Sequence, residues 1–250
     1  MSLPTDAEVA RYRSDGAICL RGAFSLDWIE RLRAAVEADM ATPGPMVRIN
    51  TPKGAPGLFF VDFQLWQRHP DAHAFVYESP AREIAARLMG SDEVVYYHDH
   101  LLVKEPGTQE RTPWHHDQPY YPIDGEQIVS LWLPLDPVDR ATCVEYVKGS
   151  HRWGRWFQPK FFKQGGVDLT VQDSRFEPLP DIDAERESVE ELLLWHAAHR
   201  AEVAIERRLH LRAHTRRERR AAAGRRGRRA AIRAEQRREP IAAHAAGVRA

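Results

Sequence analysis

The chain has 250 residues, of which 43% are hydrophobic and 29% charged, and its formal net charge is zero. That is enough for one soluble domain with a real core, with or without a tail. No run of about 18 apolar residues occurs, so no membrane span is expected. The polar opening MSLPTDAEVARYRSDG does not read as a signal peptide. Two isolated cysteines, Cys19 and Cys143, exclude a disulfide framework and a zinc knuckle, and a reducing cytoplasm is the simplest compartment.

In chain order, Thr5 or Asp6 caps a first helix that ends near Asp15-Gly16. Ala17 to Leu20 is a short apolar strand. Ser25 caps a second helix, with Trp28, Ile29, Leu32 and Ala35 at helical spacing behind it. Residues 41–58 are rich in Pro and Gly and read as loop. Pro80 to Met89 is an amphipathic helix closed by Gly90. From residue 93 the period changes, and three strands are predicted: Glu93 to Lys104, Ile128 to Leu135, and Cys143 to Val147. Helices first and strands afterwards argue against a parallel α/β sheet. They point to a mainly β fold with flanking helices, an antiparallel barrel or jelly roll.

After Trp195 the pattern stops. No Phe, Trp or Tyr follows, and residues 201–250 hold 15 Arg, no Lys and 5 Glu, a charge of +10 that the rest of the chain balances. So few large apolar residues are not expected to complete a barrel. The expected organisation is a domain over 1–195 and an Arg/Ala-rich tail over 196–250.

The chemistry concentrates in Thr112-Pro113-Trp114-His115-His116-Asp117-Gln118-Pro119-Tyr120-Tyr121-Pro122. On a strand, His115 and Asp117 share a face and His116 points the other way. An imidazole and a carboxylate on one face make two ligands of the facial triad found in non-haem Fe(II) oxygenases. Octahedral iron needs three ligands on one side and open positions on the other. A bland alternative is a polar turn at a strand end. A competing cluster of the same chemistry is His98-Asp99-His100, and spacing alone does not choose between them.

The stretch from Leu101 to Asp136, followed by Val144-Glu145-Tyr146-Val147-Lys148-Gly149-Ser150-His151, resembles the phytanoyl-CoA dioxygenase family of Fe(II)- and 2-oxoglutarate-dependent oxygenases. The similarity runs over residues 4–195 and is densest over 101–153. It implies a double-stranded β-helix, of the cupin-like jelly-roll type, with its core from about residue 93 and helices outside. It implies His115 and Asp117 as iron ligands. It implies Lys104 as a contact of 2-oxoglutarate and Trp132 as a lining residue of the cosubstrate pocket. The bland alternatives are a solvated strand end for Lys104 and an ordinary core tryptophan for Trp132. His98 is the candidate substrate contact, with Tyr97 and Tyr120 behind it, and His151 stabilises a turn. The implied reaction is hydroxylation of a small organic substrate by O2, since a carboxylate at Asp117 leaves no place for halide.

The family also requires a distal histidine and, shortly after it, an arginine for the 2-oxoglutarate carboxylate. The window 195–215 offers His196, His199, His210 and His214. His214 with Arg225, or His210 with Arg220, has acceptable spacing, so His210 and His214 are the candidates for the third ligand. Three readings of the tail compete: a divergent working C-terminus, a polyanion-binding arm, and out-of-frame translation of GC-rich DNA, which yields Arg, Ala, Gly and His. The tail has no interleaved aromatics and no nucleic-acid motif, so a nucleic-acid partner is not expected. The rival function is a catalytically impaired jelly-roll binding protein that lacks the distal ligand.

Overall fold

The computed structural model describes residues 3–108, 110–138, 142–159 and 173–184, and the backbone of 192–195, 203–206 and 210–213. Helix α1, Asp6–Asp15, starts at Thr5, whose hydroxyl accepts from the Glu8 amide while Glu8 reaches back to the Thr5 amide. This reciprocal cap satisfies two amides that the first turn leaves open. Gly16 ends the helix in the left-handed region at φ 85°, and strand β1, Ala17–Leu20, follows at once. Ser25 caps α2, Leu26–Ala41.

The 41–58 segment is not all loop. It contains β2, Arg48–Ile49, which pairs with β3, Phe59–Phe63. Helix α3, Pro70–Glu78, opens on a proline at its first position, where the missing N–H costs nothing. Helix α4 is Ala81–Met89, and Gly90 closes it. The predicted strand 93–104 is shorter than expected: β4 is only His100–Lys104, and it pairs with β3. Asp99 stays out of the strand because its carboxylate accepts the Leu65 and Trp66 amides at 2.8 Å, capping a single 3₁₀ turn.

The remaining strands are β5 (His115–His116), β6 (Ser130–Trp132), β7 (Val144–Val147), β8 (Trp156–Phe157), β9 (Phe176–Glu177), β10 (Leu192–Trp195), β11 (Val203–Glu206) and β12 (His210–Ala213). They form a three-stranded sheet in the order β1-β11-β6, a four-stranded sheet β10-β7-β12-β5 and a pair β8-β9, beside the sheet β2-β3-β4. All pairs are antiparallel except β8-β9. Two strands therefore lie beyond residue 195. The tail was not expected to contribute to the sheets, yet β11 is inserted between β1 and β6, and β12 between β5 and β7. Backbone pairing needs no large side chain, which is why an Arg/Ala-rich composition concealed them.

The main core joins the N-terminal helices to one face of the β6 region. Tyr12, Ile18, Trp28, Ile29, Ile84 and Leu88 are buried there, and Leu131 and Leu133 pack against the same cluster. Each fully buried large side chain contributes about 1.5–3 kcal/mol. Polar contacts set the rest. Arg68 bridges the fully buried Asp39 of α2 and Asp62 of β3 at 2.5 and 3.1 Å, and burial pushes the Asp39 carboxyl above its ordinary value. The Gly149–Arg152 turn docks on the end of α1: the Gly149 amide, His151 and Arg152 donate to the Asp15, Arg13 and Ser14 carbonyls. His151 thus serves the turn.

Gly16 is where this docking is tightest. A Cβ there would fall onto the His151 ring, and the backbone is left-handed. Gly16→Ala is expected to cost about 1–2 kcal/mol from the backbone alone and more from the displaced ring. A urea unfolding midpoint unchanged from the parent would disprove this docking.

Candidate functional site

Strand β5 is two residues long because the chain turns immediately after His116. Asp117 is already helical (φ −65°, ψ −40°) and leads into the 3₁₀ turn Gln118–Tyr120. The expected strand alternation therefore does not bring His115 and Asp117 together; the turn does. Buried Gln118 holds it, donating to the carbonyls of Ile123 and Gly125 at 3.1 Å.

The outcome is a close pair. His115 Nε2 stands 3.2 Å from Asp117 Oδ1, and both side chains are mostly buried. His115 Nδ1 is 2.9 Å from the Pro113 carbonyl, which can only accept, so Nδ1 carries the proton. Nε2 faces the carboxylate oxygen, and a shared cation, either a proton or a metal ion, fits between them. A backbone carbonyl fixing the opposite ring nitrogen is the usual outer support of a metal-bound histidine. Asp117 Oδ2 receives the hydroxyls of Ser130 at 3.2 Å and Tyr121 at 3.4 Å. The residues present thus fit a divalent metal. Sequence reasoning missed Ser130 and Tyr121, and nothing in the spacing links Ser130 to Asp117; only the meeting of β6 with the β5 turn does.

His116 is buried on the other side, beside Trp156 and Phe157 with ring centroids 5.7 and 6.4 Å away. Trp132 is half-buried on β6 and lies two residues from Ser130, on the face that meets Asp117.

The rival histidines lie beside the same pair. His100 stacks on Phe63 at 4.4 Å, close enough to Asp117 and His115 to feel both charges, and its surroundings push its pKa down to about 4, chiefly by desolvation. The residue as a whole is exposed, so this is the environment of a recess rather than of a sealed core. His98 packs edge-on against Tyr97 and Tyr121, and burial lowers its pKa too. Tyr120 meets His115 edge-on at 5.8 Å. The two clusters that the sequence set in competition therefore stand side by side, joined through Tyr121.

Lys104 ends β4 on the same face as His100. Its Nζ donates to the Glu110 carbonyl at 3.1 Å and to Thr112 Oγ1 at 3.0 Å, and lies over the Phe59 ring. Burial lowers its pKa to about 8, with Glu110 partly opposing. It is not a solvated strand end.

Among the described residues no group of three His, Cys, Asp or Glu side chains is placed to hold a metal. The backbone of β12 runs beside β5 with His210 opposite His116 and Leu211 opposite His115. The side chain of His210 and all of His196, His199, His214, Arg220 and Arg225 lie outside the described residues.

The fold class is shared with non-haem enzymes dependent on 2-oxoglutarate. The carbocyclase SnoK from nogalamycin biosynthesis superposes with a TM-score of 0.67 at 23% identity, over 84% of this chain and 78% of that one. AviO1 from Streptomyces viridochromogenes Tue57 gives 0.61 at 20% identity, over 86% and 89%. EvdO2 from Micromonospora carbonacea var. aurantiaca, complexed with 2-oxoglutarate, gives 0.60 at 18% identity, over 86% and 85%. No curated protein matches the chain significantly in sequence. The family pattern described as phytanoyl-CoA dioxygenase matches residues 12–206, and the chain belongs to that family.

Proposed function

We propose that this chain is an Fe(II)- and 2-oxoglutarate-dependent oxygenase that hydroxylates a small organic substrate with O2. The sheets β1-β11-β6 and β10-β7-β12-β5 are then the two halves of a double-stranded β-helix. The observation that carries the reading is the His115–Asp117 pair, with its tautomer fixed by Pro113 and its outer carboxylate oxygen held by Ser130 and Tyr121. His115 and Asp117 hold the iron. Bound iron supplies the oxidation of a C–H bond, coupled to conversion of 2-oxoglutarate to succinate and carbon dioxide. The protein's own part is placement. Lys104 gives a buried cation for a cosubstrate carboxylate, Trp132 lines that pocket, and His98 with Tyr97 borders the substrate. Cys19 and Cys143 form no disulfide, in keeping with a reducing compartment such as the cytoplasm.

The test is anaerobic titration of Fe(II) and 2-oxoglutarate, read by the charge-transfer absorbance of a chelated complex, followed by succinate release in air. Absence of both would overturn the proposal. The register of β12 favours one second reading: a fold that binds ligand without turnover, because Leu211 and not His210 stands beside His115. Cosubstrate binding without succinate formation is its signature.

Lys104 also predicts a pH dependence. With a free-protein pKa of about 8, it is cationic below that pH and neutral above it. Affinity for 2-oxoglutarate is expected to be full near pH 7 and to fall on the order of tenfold by pH 9. The same shift acts on stability with the opposite slope. Between about 8 and the ordinary lysine value the unfolded chain binds more protons, so this residue's contribution rises with pH there. Calorimetric titration at pH 7 and 9 checks the first point, and Lys104→Met should bind equally weakly at both.

A further inference from the structure

The sheet β2-β3-β4 carries a second cation that the proposed reaction leaves unused. Register places Arg48 opposite Val61 and Val61 opposite Leu102, with Phe63 opposite His100 and Phe59 opposite Lys104. Directly opposed residues, and residues two apart, share a face. Arg48, Val61, Leu102, Phe63, His100 and Lys104 therefore line one surface. At its end His98, two residues before His100, packs on Tyr121, which donates to Asp117. The opposite face is spoken for, since Asp62 there binds Arg68 and the Gly44 amide.

The two cations on this surface differ. Lys104 sits over the ring of Phe59 and is bonded to Glu110 and Thr112. Arg48 lies over the ring of Phe63, 5.7 Å from its centroid, is exposed, and has no hydrogen bond or ion pair among the described residues. Phe59 and Phe63 are four residues apart on one strand, about 13 Å. A five-carbon diacid, with C–C bonds of about 1.5 Å, spans about 7 Å between its outer oxygens. Lys104 and Arg48 are thus backed by rings at opposite ends of β3, as two separate cationic positions. Beside Arg48 on this surface stand the Phe63 ring, which stacks on the His100 imidazole, and an exposed apolar side chain, Leu102.

We propose that Arg48 is the anchor for the substrate's anionic group, and that the substrate is an organic acid, a carboxylate or phosphate ester, whose apolar body lies across Phe63 and Leu102 toward the His115–Asp117 pair. This names the substrate class of the proposed oxygenase and rests on that reading for the placement of the reacting end. A planar guanidinium backed by a ring suits an oxyanion, because the fork of N–H groups matches two oxygens while the ring holds it in place.

The test uses the full chain and three probes: 3-phenylpropionate, phenyl phosphate, and the uncharged 3-phenylpropanamide. Binding is measured by calorimetry for the parent, Arg48→Gln and Lys104→Met. The parent is expected to favour at least one anionic probe over the amide by about tenfold or more. Lys104→Met should keep that preference, and Arg48→Gln should lose it. Arg48 is exposed, so the substitution leaves the core intact, and Arg48→Lys should retain part of the preference. No preference in the parent, a preference that survives in Arg48→Gln, or one that disappears in Lys104→Met overturns the assignment. Binding of 2-oxoglutarate with Fe(II) is scored separately. If it fails while the anion preference holds, the oxygenase reading falls and the Arg48 site stands; the reverse result does the opposite.

Discussion

His115→Ala and Asp117→Ala are each expected to abolish the absorbance of the Fe(II)–2-oxoglutarate complex and to lower succinate formation by well over about 100-fold. Loss of an outer partner of a metal ligand typically costs about 10–100-fold, and loss of the ligand itself costs more. The two side chains lie 3.2 Å apart with complementary support, so each variant leaves its partner facing an unfilled position. His98→Ala and His100→Ala serve as the controls. Both rings border the site but make aromatic contacts, with Tyr97 and Tyr121 in one case and Phe63 in the other. They should change substrate affinity and leave the metal bound. Ser130→Ala should fall between, weakening metal affinity by about tenfold through Asp117 Oδ2. Metal binding that survives His115→Ala and vanishes in His100→Ala would move the centre to the other histidines.

Much of the fold was legible where local chemistry decides it. Thr5 with Glu8, Gly16, Ser25 and Gly90 are caps whose side chain or backbone freedom does the work on the spot, and α1, β1, α2 and α4 start and stop where those residues place them. Among the elements that were missed, β3 and α3 fill the unread stretch between residues 59 and 79, and others depend on partners far away in the chain. Strand β2 is two residues in a Pro/Gly-rich stretch and exists because β3 lies beside it. The 94–99 segment has strand-forming composition, yet Asp99 is drawn off to cap the turn at Leu65, a contact that no local pattern announces.

The site divides in the same way. The residue types in Trp114-His115-His116-Asp117 identified the pair, but the geometric reason given for it, alternation along a strand, is not the one at work. Asp117 reaches His115 because the chain turns helical at Asp117, with buried Gln118 holding the loop that follows. Ser130, Tyr121 and Arg48 join the site by sheet register and loop closure, which one sequence does not contain. The two histidine clusters, far apart when read along the chain, meet through Tyr121, which packs on His98 and donates to Asp117.

The largest effect on stability is expected from where the chain is cut. A tail so poor in large apolar residues is expected from composition alone to be removable, over 201–250, at little cost. The strand pairing gives a different result for residues 196–213. Strand β11 has four residues in register with β1 and three with β6, so among the described residues neither neighbour retains a strand partner without it. Strand β12 stands between β5 and β7, and among the described strands it alone pairs with β5. A chain ending at residue 195 thus exposes the edges of β1, β6, β5 and β7 at once. At about 0.5–1.5 kcal/mol net for each backbone hydrogen bond lost, this is comparable with the whole stability of an ordinary domain. It also leaves the two residues that carry His115 without the strand beside them. The full chain and a chain ending at 213 are expected to melt cooperatively and bind metal, whereas the chain ending at 195 should show a broad transition, bind a dye for exposed apolar surface, and bind metal weakly. If the chain ending at 195 instead melts as sharply and as high as the full chain, β11 and β12 contribute nothing. The abrupt change in composition after Trp195 then marks the end of the folded protein, as an out-of-frame tail requires.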